Sequence, residues 1–171
     1  MAKKKTASLI GLILLAVAIL GAVLSVVGVF IHWVKYTAET FLGNNAASYT
    51  LKKLAESNAE LKKVGDGMEM FDAMNAFAYI TMILSVISAA AVLLAKFLKI
   101  KLLRPVAGLA GVLTIVSTIL MIVFVCMFCS KNAGFSLGSI AKGSFRWAAG
   151  AVLATIGGFL AGLSAMASYK K

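Results

Sequence analysis

The chain has 171 residues, of which 61% are hydrophobic and 13% charged, with a single Pro. A soluble domain of this length cannot hide so much apolar surface, whereas a bilayer accepts it. The formal charge of +11 would suggest nucleic acid in a soluble protein. Here the bases gather at the ends of apolar runs, which points to membrane lipids and not to nucleic acid as the partner.

The first apolar run, about Ala7–Val34, follows "MAKKKT". It is too long for a signal-peptide core and ends in no small-x-small cleavage site, so it is expected to remain as a spanning helix. Gly11, Ala18 and Ser25 recur every seven residues along it, joined by Gly21 and Gly28.

A long loop, about 35–75, comes next. After a turn region at "LGNNAAS", the segment "YTLKKLAESNAELKKV" sets Leu51, Leu54, Leu61 and Val64 on one stripe, interrupted by Asn58. That spacing predicts a helix over about 48–64. "GDG" at Gly65–Gly67 breaks it, and Met68, Phe71, Met74, Phe77 and Ala78 begin a pattern leading into the next span. Leu51, Leu54, Leu61, Met68 and Phe71 form the loop's candidate interaction surface.

The second run, about Ala76–Leu98, carries Ser85, Ser88, Ala89 and Ala91, and ends near Lys96, which can snorkel to the headgroups. "KFLKIKLLRP" is too short for anything but a turn between antiparallel neighbours, and Pro105 suits a helical first turn. The third run, about Val106–Cys129, offers Ala107, Gly111, Thr114 and Thr118. A short loop, about 130–146, precedes the fourth run, about Ala148–Ser168. All four runs reach the roughly 20 residues that span a hydrocarbon core.

Orientation follows from charge density. Lys3, Lys4, Lys5, Lys96, Lys99, Lys101, Arg104, Lys170 and Lys171 lie in three short acid-free flanks, while the opposite flanks hold all six acids. The positive-inside rule then puts both termini in the cytoplasm and the two loops outside the cell membrane. Trp33, Tyr36, Tyr79, Phe128, Phe145 and Trp147 fall at the expected outer boundary, where amphipathic rings settle.

The fourth run is thin: Gly150, Ala154, Gly158 and Gly162 recur every four residues. Lipid tails are as apolar as Leu, so helices associate in a membrane through close contact and interhelical hydrogen bonds, which small residues permit. These positions, with Gly11, Ala18, Ser25 and Gly28, are the candidate helix-packing or oligomer interface. The expected fold is an all-α integral membrane protein: an antiparallel four-helix transmembrane bundle with a partly helical extracellular loop.

Little in the chain suggests catalysis. Cys126 and Cys129 have dithiol spacing, but they sit at the C-terminal end of a span, where the helix dipole disfavours a thiolate. His32 is the only histidine, and Asp66, Glu69 and Asp72 lack an EF-hand's ligand pattern. No acid lies within a span, as ion-coupled transport usually requires. No metal, cofactor or enzymatic activity is expected.

The layout resembles the claudin and peripheral-myelin-protein superfamily of tetraspan proteins. The matching features are a Gly/Ala-dotted first span ending in "FIHWVKYT", a large first outer loop, a short basic inner turn, and "FSLGSIAKGSFRWAAGAVLATIGG" leading into a small-residue fourth span. Members of the family fold the first loop as a small sheet after a Gly-Leu-Trp segment and two cysteines. This loop has neither, and its spacing predicts a helix. The resemblance implies a bundle that associates laterally, as a homo-oligomer or with another membrane protein, and exposes its outer loops for assembly or adhesion. The alternative is a subunit of an oligomeric channel or pore, lined by Thr81, Ser85, Ser88, Thr114, Ser117 and Thr118.

Overall fold

A computed structural model describes residues 2–40, 43–63, 68–98, 103–132 and 141–169. In chain order the elements are α1 (Ala2–Phe30), β1 (His32–Thr40), β2 (Gly43–Thr50), α2 (Leu51–Lys63), α3 (Phe71–Phe97), α4 (Leu103–Lys131), β3 (Ala141–Trp147) and α5 (Ala149–Tyr169). The chain is mostly helical. Four of its helices hold a stretch long and apolar enough to cross a membrane: Leu9–Phe30, Phe71–Phe97, Leu103–Lys131 and Ala149–Ser168.

The all-α expectation is corrected by a three-stranded antiparallel sheet with strand order β2-β1-β3. The first apolar run was expected to stay helical to Val34, but α1 stops at Phe30 and His32, Trp33 and Val34 enter the sheet. Tertiary pairing is the reason: β1 finds a partner on each side, and those ladders outweigh the few extra helical bonds. The register slips between His32 and Val34. Such a bulge breaks the strict alternation of faces, and Trp33 and Val34 are both buried although adjacent. The expected turn region around "LGNNAAS" supplies most of β2, and the expected short loop supplies β3. The helix expected over about 48–64 is present as α2, shortened at its start by β2. Val64 and the "GDG" break lie outside the described residues.

α5 touches all three of the other long helices, and α3 does the same. Two clusters hold these elements together, and they differ in kind. At the sheet end large side chains interlock, among them Trp33, Leu51, Leu54, Phe71, Met74, Met121, Val125 and Phe128. At the end bearing the termini the buried side chains are mostly small: Ala18, Ala22, Ala89, Ala91, Ala107 and Ala165, with Leu15 and Val92. Meanwhile Leu9, Ile13, Leu20, Val27, Ile83, Leu109, Val116 and Leu163 face outward on the long helices. Small inside and large outside inverts the usual order of a water-soluble protein.

Candidate functional site

Along the seam between α1 and α5 the two backbones meet directly. A β-carbon placed at Gly21 would lie 2.5 Å from the Ala161 amide nitrogen and 2.8 Å from the Gly157 carbonyl oxygen. At Gly28 it would lie 2.5 Å from the Ala154 nitrogen, and at Gly157 it would lie 2.5 Å from the Gly21 oxygen and nearer still to the Ser25 amide. Backbone meets backbone along about three turns of α5, and no side chain can be pushed aside to make room. At the top of the seam, Gly150 leaves space for the backbone of Gly28 and His32 and for the Trp33 ring. Trp33 is fully buried, and its Nε1 donates to the Gly28 carbonyl at 2.7 Å. That bond satisfies an otherwise partnerless carbonyl at the end of α1. The Ala148 amide donates to the Trp33 carbonyl at 2.9 Å, tying the start of α5 to β1.

The stripe Gly150, Ala154, Gly158 and Gly162 is shared between neighbours. Gly150 and Ala154 face α1, whereas Gly158 packs on Thr118 and Thr81, and Gly162 on Ile115 and Gly111. A four-residue step turns about 400° on an α-helix, so the stripe drifts by about 40° per step and leaves α1 for α4. The row that follows α1 is Gly150, Ala154, Gly157 and Ala161. Gly157 was the member that the four-residue spacing overlooked, and the doublet Gly157-Gly158 was its signal: one glycine for each seam. On α1, Ala18, Ser25 and Gly28 are buried. Gly11 differs, because a β-carbon there would meet only the end of the Lys96 side chain, at 3.7 Å. Lys96, expected to snorkel, instead tucks its Nζ against α1, where it is buried and has no hydrogen-bond partner among the described residues.

A hydroxyl cluster joins α3 to α4. Thr81 and Ser117 bond at 2.8 Å, as do Ser88 and Thr114. Ser85 Oγ donates to the Thr81 carbonyl, and Thr118 Oγ1 to the Thr114 carbonyl, each at 2.7 Å. All six expected pore-lining side chains are buried within the chain.

At the sheet end, a run of aromatic contacts fastens the sheet to the helices. Tyr36 on β1 contacts its ladder partner Phe145 on β3 at 5.0 Å between ring centroids. Phe145 contacts Phe128 on α4 at 5.3 Å, and Phe128 contacts Phe71 on α3 at 6.3 Å. Leu51, Leu54 and Phe71 are buried in this core, and Met68 packs against it, so that side of the expected interaction surface faces inward. Leu61 is half-buried. Asn58, read from sequence as a break in the stripe, belongs to it and is buried. Its Oδ1 accepts from the Met68 amide at 2.6 Å, and its Nδ2 donates to Asp72 Oδ1 at 3.5 Å. Asn58 thereby pins α2 to the start of α3, where Met70 holds a left-handed backbone (φ 61°). The spacing of positions 51, 54, 58 and 61 was the available signal.

Of the expected acidic cluster, Asp72 pairs with Lys62 at 2.5 Å and Glu69 with Lys131 at 2.8 Å. Both pairs are exposed, which limits each to about 1 kcal/mol or less. Asp66 lies outside the described residues. Cys126 is exposed on α4, and Cys129 is half-buried. The chain matches no known protein-family model and no curated protein sequence.

The outward face of the sheet end has one further property. β2 is an edge strand of eight residues, "GNNAASYT", with neither a charge nor a Pro. Ala46, Ala47 and Ser48 on it are exposed. Natural edges are usually blunted by Lys, Pro or bulges, because their unpaired N–H and C=O groups invite another strand. The opposite edge, β3, does carry Lys142 and Arg146.

Proposed function

We propose that the chain is a non-catalytic tetraspan protein of the cell membrane, with both termini cytoplasmic, that associates laterally through its outer sheet. The observation that carries this reading is the unprotected edge of β2. An eight-residue uncharged edge offers a ladder to a second copy or to another membrane protein. The outward large aliphatics and inward small residues of the long helices support insertion as a four-helix bundle. A sheet drawing strands from both outer loops is in keeping with the claudin-like resemblance. The hydroxyl cluster favours this reading over a pore between protomers, because its members are spent on one another inside the chain.

The test is crosslinking in native membranes. Ala46→Lys with Ser48→Lys places charge on the β2 edge without touching the core, and it should abolish crosslinked species while leaving helicity unchanged. A chain that is monomeric in the membrane, or crosslinks unaffected by those lysines, would refute edge assembly. Replacing Cys126 and Cys129 together with Ser should leave assembly intact; loss of a phenotype at wild-type folding would instead support dithiol chemistry.

A further inference from the structure

We infer that the outward face of the sheet binds a phosphate group, clasped between Lys35 on β1 and Arg146 on β3. The two residues are ladder partners, and both are exposed. Side chains alternate between the faces of a strand. The neighbouring pair, Tyr36 and Phe145, packs toward α4 through Phe128, so Lys35 and Arg146 project from the opposite face. Directly opposed side chains on antiparallel strands start about 5 Å apart, and like charges placed there destabilise the sheet. Neither base is ion-paired among the described residues. The one acid in the three strands, Glu39, is registered against Lys142, about 13 Å along β1 from Lys35.

The third member of the row is Ser48, the partner of Lys35 on β2, and it is exposed as well. A guanidinium fork, an ammonium and a hydroxyl are thus presented side by side. Charge and shape select the anion. A carboxylate carries one charge and leaves one base uncompensated. A phosphomonoester carries nearly two charges near pH 7 and three acceptor oxygens. Two oxygens suit the planar Arg146 fork, and the third suits the Lys35 ammonium. Such a phosphate comes from solution or from a lipid headgroup. Lys35 follows the end of α1 by five residues and Arg146 precedes α5 by three, so in the four-span reading above the row lies beside the outer headgroups.

The experiment is calorimetric titration of the full chain in detergent with inorganic phosphate, at an ionic strength held constant with chloride. Wild type should bind one phosphate per chain. Lys35→Gln and Arg146→Gln should each weaken binding about fivefold. Lys63→Gln, roughly 18 Å along α2 from the sheet, should not change it. Without phosphate, the two glutamine variants should unfold at or above the wild-type midpoint, since each relieves a repulsion. A lower midpoint in both would make the bases structural and overturn the inference. The source is read by adding dioleoylphosphatidic acid to the phosphate-loaded chain, with dioleoylphosphatidylcholine as the control. Displacement of phosphate by phosphatidic acid alone supports a headgroup; retention of phosphate supports a soluble ligand. Failure of both phosphate and phosphatidic acid to bind, or binding that survives both glutamine variants, overturns the inference. A chain that remains folded and dissolved without detergent overturns the four-span reading and the headgroup source with it, but leaves the result with inorganic phosphate standing.

Discussion

Gly157→Ala adds one methyl group where α1 and α5 press backbone against backbone. Non-bonded heavy atoms rest at about 3.5–4.0 Å, but the new carbon would sit 2.5 Å from the Gly21 oxygen. The obstructing atoms are all backbone of α1, so α1 and α5 must part by about 1 Å. A gap of that size forfeits a quarter to a half of the dispersion energy of each contact along the seam. Overpacking of this kind costs about 1–3 kcal/mol, and a backbone clash belongs near the upper end. The better helix propensity of Ala returns up to about 1 kcal/mol, leaving a net loss of about 2 kcal/mol. Gly11→Ala gains the same propensity and meets only the end of Lys96 at 3.7 Å, so it should be neutral or stabilising by about 0.5–1 kcal/mol. The assay is reversible unfolding of the full chain in mixed micelles of increasing dodecyl sulfate content, followed by circular dichroism. Wild-type stability for Gly157→Ala, or an equal loss for Gly11→Ala, would exclude a backbone clash between α1 and α5.

Three further outcomes follow from named contacts. Asn58→Leu strands the Met68 amide, which now donates to Asn58 at 2.6 Å; a loss of about 1–3 kcal/mol should appear as faster hydrogen exchange at Met68, and unchanged exchange would deny Asn58 its pinning role. Trp33→Phe removes the bond to the Gly28 carbonyl and should cost about 1 kcal/mol in the same unfolding assay, whereas an unchanged midpoint would show that the bond contributes nothing. A double-mutant cycle with Thr81→Val and Ser117→Ala should return a coupling of about 0.6 kcal/mol, the usual size for interhelical hydrogen bonds in membranes; zero coupling would mean that their 2.8 Å contact is incidental.

The four apolar helices were legible because length and composition alone mark them. α2 was legible through Leu51 and Leu54, since an amphipathic stripe needs only local spacing. The sheet was hidden for two reasons. β2 reads as "GNNAASYT", which has no alternation of large apolar residues to announce a strand. β1 meets β3 through pairs such as Tyr36 with Phe145, more than a hundred residues apart, and such pairing leaves no local trace. Within the first apolar run, Trp33 and Val34 looked like more of the same span, although they serve the core beneath the sheet. The small-residue faces were visible in composition, but their assignment to neighbours was not. Spacing by four at Gly150, Ala154, Gly158 and Gly162 suggested one straight groove, whereas the drift of a 3.6-residue helix divides it between α1 and α4. Asn58 was misread because a polar residue in an apolar stripe looks like a gap until its partner, the Met68 amide, is seen.

The most direct measurement is labelling from outside intact cells with a membrane-impermeant maleimide, after both native cysteines are replaced by Ser. Single cysteines at Lys53, on the exposed side of α2, at Lys3 and at Lys170 report the side of each segment. Lys53→Cys should react at once, and Lys3→Cys and Lys170→Cys only after permeabilisation. Reaction of Lys53→Cys and either terminal cysteine from the same side would rule out four passes with both termini inside.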